Sequence, residues 1–98
     1  MKINILESAV ADLAAGRDFY ERQEIGVGDY FQDCLFSDID SLVLYAGIHR
    51  QVFGFYRMLS KRFPYAIYYQ LEDRTILVFR VLDCRSNPQR LLRALGNE

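Results

Sequence analysis

Three apolar segments of strand length crowd the second half of this chain: Phe55–Leu59, Pro64–Leu71 and Thr75–Leu82, separated by Ser60-Lys61-Arg62-Phe63 and Glu72-Asp73-Arg74. Connections this short join antiparallel neighbours, because a parallel pair needs a crossover of a dozen residues or more. The segments therefore predict a β-meander. In the second, Tyr65, Ile67, Tyr69 and Leu71 fall on one face; in the third, Leu77, Phe79 and Val81 take one face and Ile76, Val78, Arg80 and Leu82 the other. Near-continuous apolarity in the third strand predicts a central position covered on both sides. Arg80 interrupts it and reads as a side chain whose stem packs while its head reaches solvent. Tyr65 and Tyr69 read as core; Tyr68 is left open between packing and base stacking.

The first half has a different period. Lys2–Leu6 is a short strand, and Ser8 stands where an N-cap would start a helix. Ala9, Leu13, Gly16 and Tyr20 then recur at helical spacing, with Asp12, Arg17, Asp18, Glu21 and Arg22 assigned to the outer side, as far as Glu24. Gly26-Val27-Gly28 breaks the pattern, Asp29 is placed to cap a second helix, and Phe31, Leu35, Ile39, Leu42 and Ala46 form the stripe of that helix. Two helices so closely joined fold back on one another as a hairpin. Gly47–Gly54 shows neither period and is expected as a packed loop. Asn87 and Pro88 open a short final helix through Leu91, Leu92 and Leu95. The expected fold is α+β over a single domain, residues 1–98: β-α-α-β-β-β, with the N-terminal strand at an edge of the meander, the helical hairpin on one face and a short C-terminal helix.

A formal net charge of −1 argues against a protein that coats nucleic acid. The charges are nevertheless segregated. Residues 1–46 carry nine acidic side chains and three basic ones, a net of −6, while residues 56–95 carry eight basic and three acidic, a net of +5. Cys34 and Cys84 lack C-x-x-C spacing and are expected as reduced thiols in cytoplasm. No metal site or cofactor is expected, and the lone histidine, His49, has no partner at ligand or triad spacing. No apolar run approaches a membrane span, and the N-terminus lacks a signal-peptide layout.

The order of elements, with Arg62-Phe63-Pro64-Tyr65-Ala66-Ile67-Tyr68-Tyr69 and Val78-Phe79-Arg80-Val81-Leu82-Asp83-Cys84-Arg85-Ser86-Asn87-Pro88, resembles the RelE/ParE superfamily of bacterial toxins, closest to its ParE or plasmid-stabilisation branch. The resemblance implies the toxin of a type II toxin–antitoxin pair, cytoplasmic, neutralised by a cognate antitoxin whose C-terminal segment wraps the hairpin and sheet. ParE-like members of the superfamily are held to poison DNA gyrase; RelE-like members cleave messenger RNA on the ribosome.

Metal-free RNA cleavage needs a group to activate the 2′-hydroxyl, cations to stabilise the developing charge and an acid for the leaving oxygen. RelE-like toxins place basic residues on the first meander strand, an arginine on the second, another just after the third, and often a C-terminal tyrosine. Here Arg57 and Arg85 match two of those positions. Leu59 and Ala66 stand where two more are expected, the tyrosine region reads Arg90-Leu91-Leu92, and Cys84 replaces a histidine that many ParE-like sequences carry. The expectation is a non-enzymatic ParE-like binder of DNA gyrase that uses Arg57, Lys61, Arg62 and Arg85, with no membrane role and no direct nucleic-acid binding. The alternatives are a RelE-like ribonuclease with the reduced catalytic set Arg57 and Arg85, and a family member that has lost toxicity. Arg57 and Arg85 are open between an anionic site and surface ion pairs to Asp83 or Glu72. Phe19, Tyr30, Phe36 and Tyr45, off the main helix stripes, are the candidate antitoxin anchors.

Overall fold

The computed structural model describes residues 1–96. Strand β1 (Lys2–Ile5) leads into helix α1 (Glu7–Gln23), then α2 (Val27–Asp40), the single turn α3 (Leu42–Tyr45), strands β2 (Arg50–Val52), β3 (Phe55–Leu59), β4 (Tyr65–Glu72) and β5 (Thr75–Asp83), and helix α4 (Pro88–Ala94). The expected α+β order holds, with one strand more. The sheet runs β1-β5-β4-β3-β2, with β1 parallel to β5 at one edge and the remaining pairs antiparallel.

The additional strand, β2, lies inside the segment expected as a loop. It pairs with β3 across a two-residue turn, Phe53-Gly54, in which both residues have positive φ (55° and 84°). Such a turn suits the twist of a hairpin, but a phenylalanine at its first position hides it from a reading that looks for Asn-Gly or Asp-Gly. His49 immediately precedes β2. Gly47 N–H donates to the Tyr69 hydroxyl at 2.9 Å, and the same hydroxyl shares a hydrogen bond with His49 Nδ1.

The helix starts also differ from expectation. Leu6, with no side-chain bond, occupies the α1 N-cap, and Ser8 sits in the first turn, where its Oγ donates to Phe79 O at 2.7 Å. Asp29 lies within α2, and Gly26 is that helix's N-cap, with φ at 95°. The cap comes from the preceding helix: Glu21 accepts from Gly26 N at 3.0 Å and from Gly28 N at 2.9 Å. A Cβ at Gly28 would lie 2.6 Å from Arg17 O, so the residue permits this close junction. The second helix, expected to reach Ala46, breaks at Ser41, whose Oγ donates to Asp38 O at 2.6 Å.

The main core lies between the hairpin and the sheet. Ala9 and Leu13 of α1 and Phe31, Leu35 and Ile39 of α2 pack on Met58, Tyr65, Ile67, Tyr69, Ile76, Val78 and Val81. Val78 and Val81 share this face because the β4–β5 register shifts, Tyr68 pairing with Arg80 but Tyr69 with Val78. That bulge overturns the simple alternation expected for β5, which put Val78 and Val81 on opposite faces.

Arg80 is corrected with it. Its guanidinium is held by Asp12 of α1 in a two-pronged pair at 2.7 and 2.8 Å, and it also donates to Ala94 O at 2.8 Å. Past Ile5 the β5 edge has no strand beside it, and the first turns of α1 take over: Ser8 bonds Phe79 O, while Asp12 Oδ2 accepts from Val81 N at 2.9 Å. Ser8 and Asp12, four residues apart, stand on the same helix face. Asp12, expected on the outer side of α1, is therefore drawn in, its side chain only 13% exposed.

Candidate functional site

The sheet face away from the hairpin carries the family positions. On β3, Phe55, Arg57 and Leu59 point to it, alternating with the core-facing Tyr56 and Met58. Opposite them on β4 stand Tyr68, paired with Arg57, and Ala66, paired with Leu59. The two positions where cations were expected thus face one another across the β3–β4 ladder and are both apolar. Phe55, Ala66, Tyr68 and Leu95 are buried here, with Phe79, Leu82 and Cys84 partly covered. Tyr68 is therefore a packed residue, 3% exposed.

Arg57 is the central cation of this face, with Arg50 opposite it on β2 and Arg80, held by Asp12, opposite Tyr68 on β5. Arg57 Nε donates to the Tyr68 hydroxyl at 3.2 Å and Nη2 to Cys84 Sγ at 3.7 Å, a long contact to a weak acceptor. The Tyr68 bond raises its pKa against the opposing effect of burial. No carboxylate pairs with Arg57 among the described residues.

Arg85 goes elsewhere. It grips Asp83 through Nε at 3.0 Å and Nη2 at 2.8 Å, and reaches Tyr20 of α1 at 3.5 Å. The hydrogen bond to Arg85 holds the Asp83 carboxyl below its ordinary range, and the same bond raises the arginine. Arg57 and Arg85, adjacent in the expected site, hold different partners, and Arg85 is engaged in the ion pair to Asp83.

Lys61 and Arg62 sit on the β3–β4 turn and border a groove of about 480 Å³ against α2, shared with Tyr30 and Asp33. The turn is clipped to the helix by Asp38, which accepts from Ser60 Oγ at 2.6 Å and Lys61 N at 3.3 Å. Asp38 is 5% exposed and was not singled out from sequence. Its signal was available: it stands beside Ile39 within the apolar stripe Phe31, Leu35, Leu42, where a carboxylate needs a partner.

Of the four aromatic residues proposed as anchors, Phe19, Tyr30 and Tyr45 are 41%, 49% and 52% exposed, whereas Phe36 packs partly against the core. They border separate clefts: Phe19 lies between α1 and α4, Tyr30 beside Lys61 and Arg62, and Tyr45 beside Ile48 and Leu59. Both cysteines are free thiols. Among the described residues no cluster of His, Cys, Asp and Glu could hold a metal ion, and no helix is long and apolar enough to cross a membrane.

The family described as ParE toxin of type II toxin–antitoxin system, parDE, matches residues 3–88. The chain belongs to the ParE toxin family. Its fold is similar to a solved structure described as the chromosomal ParDE TA system from P. aeruginosa, with a TM-score of 0.74 and 21% identity, over 83% of this chain and 92% of that one. No curated protein sequence matches. Membership gives this chain the role of a type II toxin, and the matched span takes in both hairpin helices and every strand except Lys2 at the start of β1.

Proposed function

We propose that this ParE-family toxin acts by binding a protein target, DNA gyrase, and is neutralised by a cognate antitoxin that covers exposed aromatic residues of the helical side. The observation that carries the reading is the face around Arg57. It sets the Arg57 guanidinium in an apolar frame of Phe55, Leu59 and Ala66, bonded to the Tyr68 hydroxyl and Cys84 Sγ, with Arg50 beside it across the β2–β3 ladder. A planar fork in such a frame suits recognition of a protein surface, where arginine and aromatic anchors dominate. RNA cleavage would ask this face for cations where Leu59 and Ala66 stand, and for an acid to protonate the leaving oxygen. His49, just before β2, is held by Tyr69 of β4, and Arg85 is bound to Asp83.

Lys61 and Arg62 extend the contact surface from the adjoining turn, and Arg85 joins it if the target displaces Asp83. Phe19, Tyr30 and Tyr45 are the antitoxin anchors, with Phe36 contributing its exposed part. The exposed apolar surface supports this role, since large apolar side chains open to solvent are characteristic of partner sites.

The test is expression from a tightly repressed promoter without antitoxin, followed by growth, transcript integrity and the DNA-damage response, with gyrase supercoiling assayed on purified protein. Growth arrest with intact transcripts and inhibited supercoiling is expected. Cleaved transcripts would sink the reading in favour of the ribonuclease, and unimpaired growth would make the chain a non-toxic member of the family.

A further inference from the structure

One row of side chains crosses the open sheet face: Arg50 of β2 stands opposite Arg57 of β3, Arg57 opposite Tyr68 of β4, and Tyr68 opposite Arg80 of β5. Residues directly opposite share a face, with Cβ atoms about 4.5–5.5 Å apart. Three arginines thus lie in one row, and the fold treats them differently. Arg80 is neutralised by Asp12 at 2.7 Å. Arg50 and Arg57 are immediate neighbours, and neither has a carboxylate partner among the described residues. Like charges directly opposite destabilise a strand pair, so the fold by itself gains nothing from this arrangement.

Arg57 commits one edge of its fork, Nε to the Tyr68 hydroxyl and Nη2 to Cys84 Sγ, and its Nη1 has no protein acceptor among the described residues. Those contacts hold a half-buried guanidinium in place, where an unpaired charge costs more than at an open rim. Arg50 is exposed and can close on the same ligand. An oxyanion between the two forks removes their repulsion and supplies the missing acceptor. The surroundings point to its source. Val52, Phe55, Leu59 and Ala66, the nearest residues on this face in β2, β3 and β4, are all apolar. Leu59, two residues along β3 from Arg57, is more than half exposed. A nucleic-acid backbone, charged at every unit, would lay its next phosphates against these residues. An acidic side chain with an apolar one two residues away in an extended segment matches the Arg57–Leu59 spacing. We infer that Arg50 and Arg57 clamp one acidic side chain of the protein target while an apolar residue of the target sits on Leu59, an inference that rests on the reading of this face as the target contact and adds Arg50 to it.

The experiment titrates the full chain with the peptide acetyl-Leu-Ser-Glu-amide, its Gln counterpart, inorganic phosphate and a short single-stranded RNA, reading backbone amide shifts at Arg50, Arg57 and Leu59. The Glu peptide is expected to move these resonances saturably, with affinity falling about tenfold or more in Arg50→Gln and in Arg57→Gln. The Gln peptide is expected to bind correspondingly more weakly. Equal binding of the two peptides, full affinity in Arg50→Gln, or no shift at all would overturn the clamp. So would phosphate or RNA binding as tightly as the Glu peptide, the first marking a small-anion site and the second a nucleic-acid face. Arg50→Gln removes a like charge and should unfold at a urea concentration no lower than the wild type; a clearly lower midpoint would reveal an internal partner for Arg50 and overturn the clamp. The titration contains no gyrase, so it decides the clamp separately from the supercoiling assay that decides the target.

Discussion

Beneath the hairpin, Phe31, Leu35, Ile67, Tyr69, Ile76 and Val78 are removed almost completely from water, and carboxylates from the helices pin the structure at three points: Asp12 on β5, Glu21 on the α2 start and Asp38 on the β3–β4 turn. Among the described residues the opposite face has four buried ones, one of which, Leu95, is the C-cap of the short helix α4. The same sheet thus serves two purposes. One side holds the fold, with polar groups internally paired; the other is thinly covered and keeps Arg57 without a carboxylate partner.

The two faces should differ most at a large, fully buried aromatic residue of the main core. Phe31→Ala should cost about 3–5 kcal/mol, against about 2 kcal/mol for Leu95→Ala on the other face, measured by urea denaturation. Set against a total stability of about 5–15 kcal/mol for a domain of this size, the first is severe. Equal losses would mean that the two faces contribute alike.

Asp12→Ala should cost about 2–3 kcal/mol, because it strands the Arg80 guanidinium and Val81 N–H together. The helix junction belongs to the same tightly fitted side. Gly28→Ala should destabilise by about 1–3 kcal/mol, since its Cβ would press on Arg17 O and Glu21 Cβ. At an open helical glycine the same change would instead gain up to about 1 kcal/mol.

A smaller effect is expected with pH. Burial lowers the pKa of His49 from its ordinary value, so below the ordinary histidine range the unfolded chain binds more protons than the folded one. Stability contributed by the neutral ring is then full above about pH 6.5 and declines as the pH falls below it. A urea midpoint that drops modestly between pH 7.5 and 5.5 in the wild type, and less in His49→Gln, checks this. On the open face, Arg57→Gln should shift stability by only about 0.5 kcal/mol while abolishing growth arrest. A large loss of stability there would make Arg57 a structural residue and remove its claim to the target.

Much of this was legible in the chain because it depends on periodicity. The 3.6-residue stripes of the two helices, the alternating meander and the Asn87-Pro88 start each read out a local preference, and Asn87 Oδ1 does accept from Gln89 N at 2.8 Å. The family resemblance likewise rests on contiguous residues. Arg57, Leu59 and Ala66 could be matched to family positions by strand, while their shared face came from the β3–β4 register.

What escaped were decisions made between elements distant in sequence. Ser8 reads as a cap and Asp12 as a surface charge until β5, some 70 residues later, presents an edge that β1 is too short to cover. The bulge in β5 arises from pairing with β4 and leaves no mark in the alternation of its own residues. Arg85 could be written beside Arg57 as one site, but Asp83 sits two residues away and holds it.

The amino-acid sequence alone determined the kinds of element, their order and the toxin family, since these depend on local propensity, hydrophobic period and a contiguous motif. Tertiary structure alone decided which charges are paired and which stay open to a partner. Neutralising a charge or satisfying a buried donor requires groups a few ångströms apart, and proximity across the fold is not written in the spacing of residues along the chain.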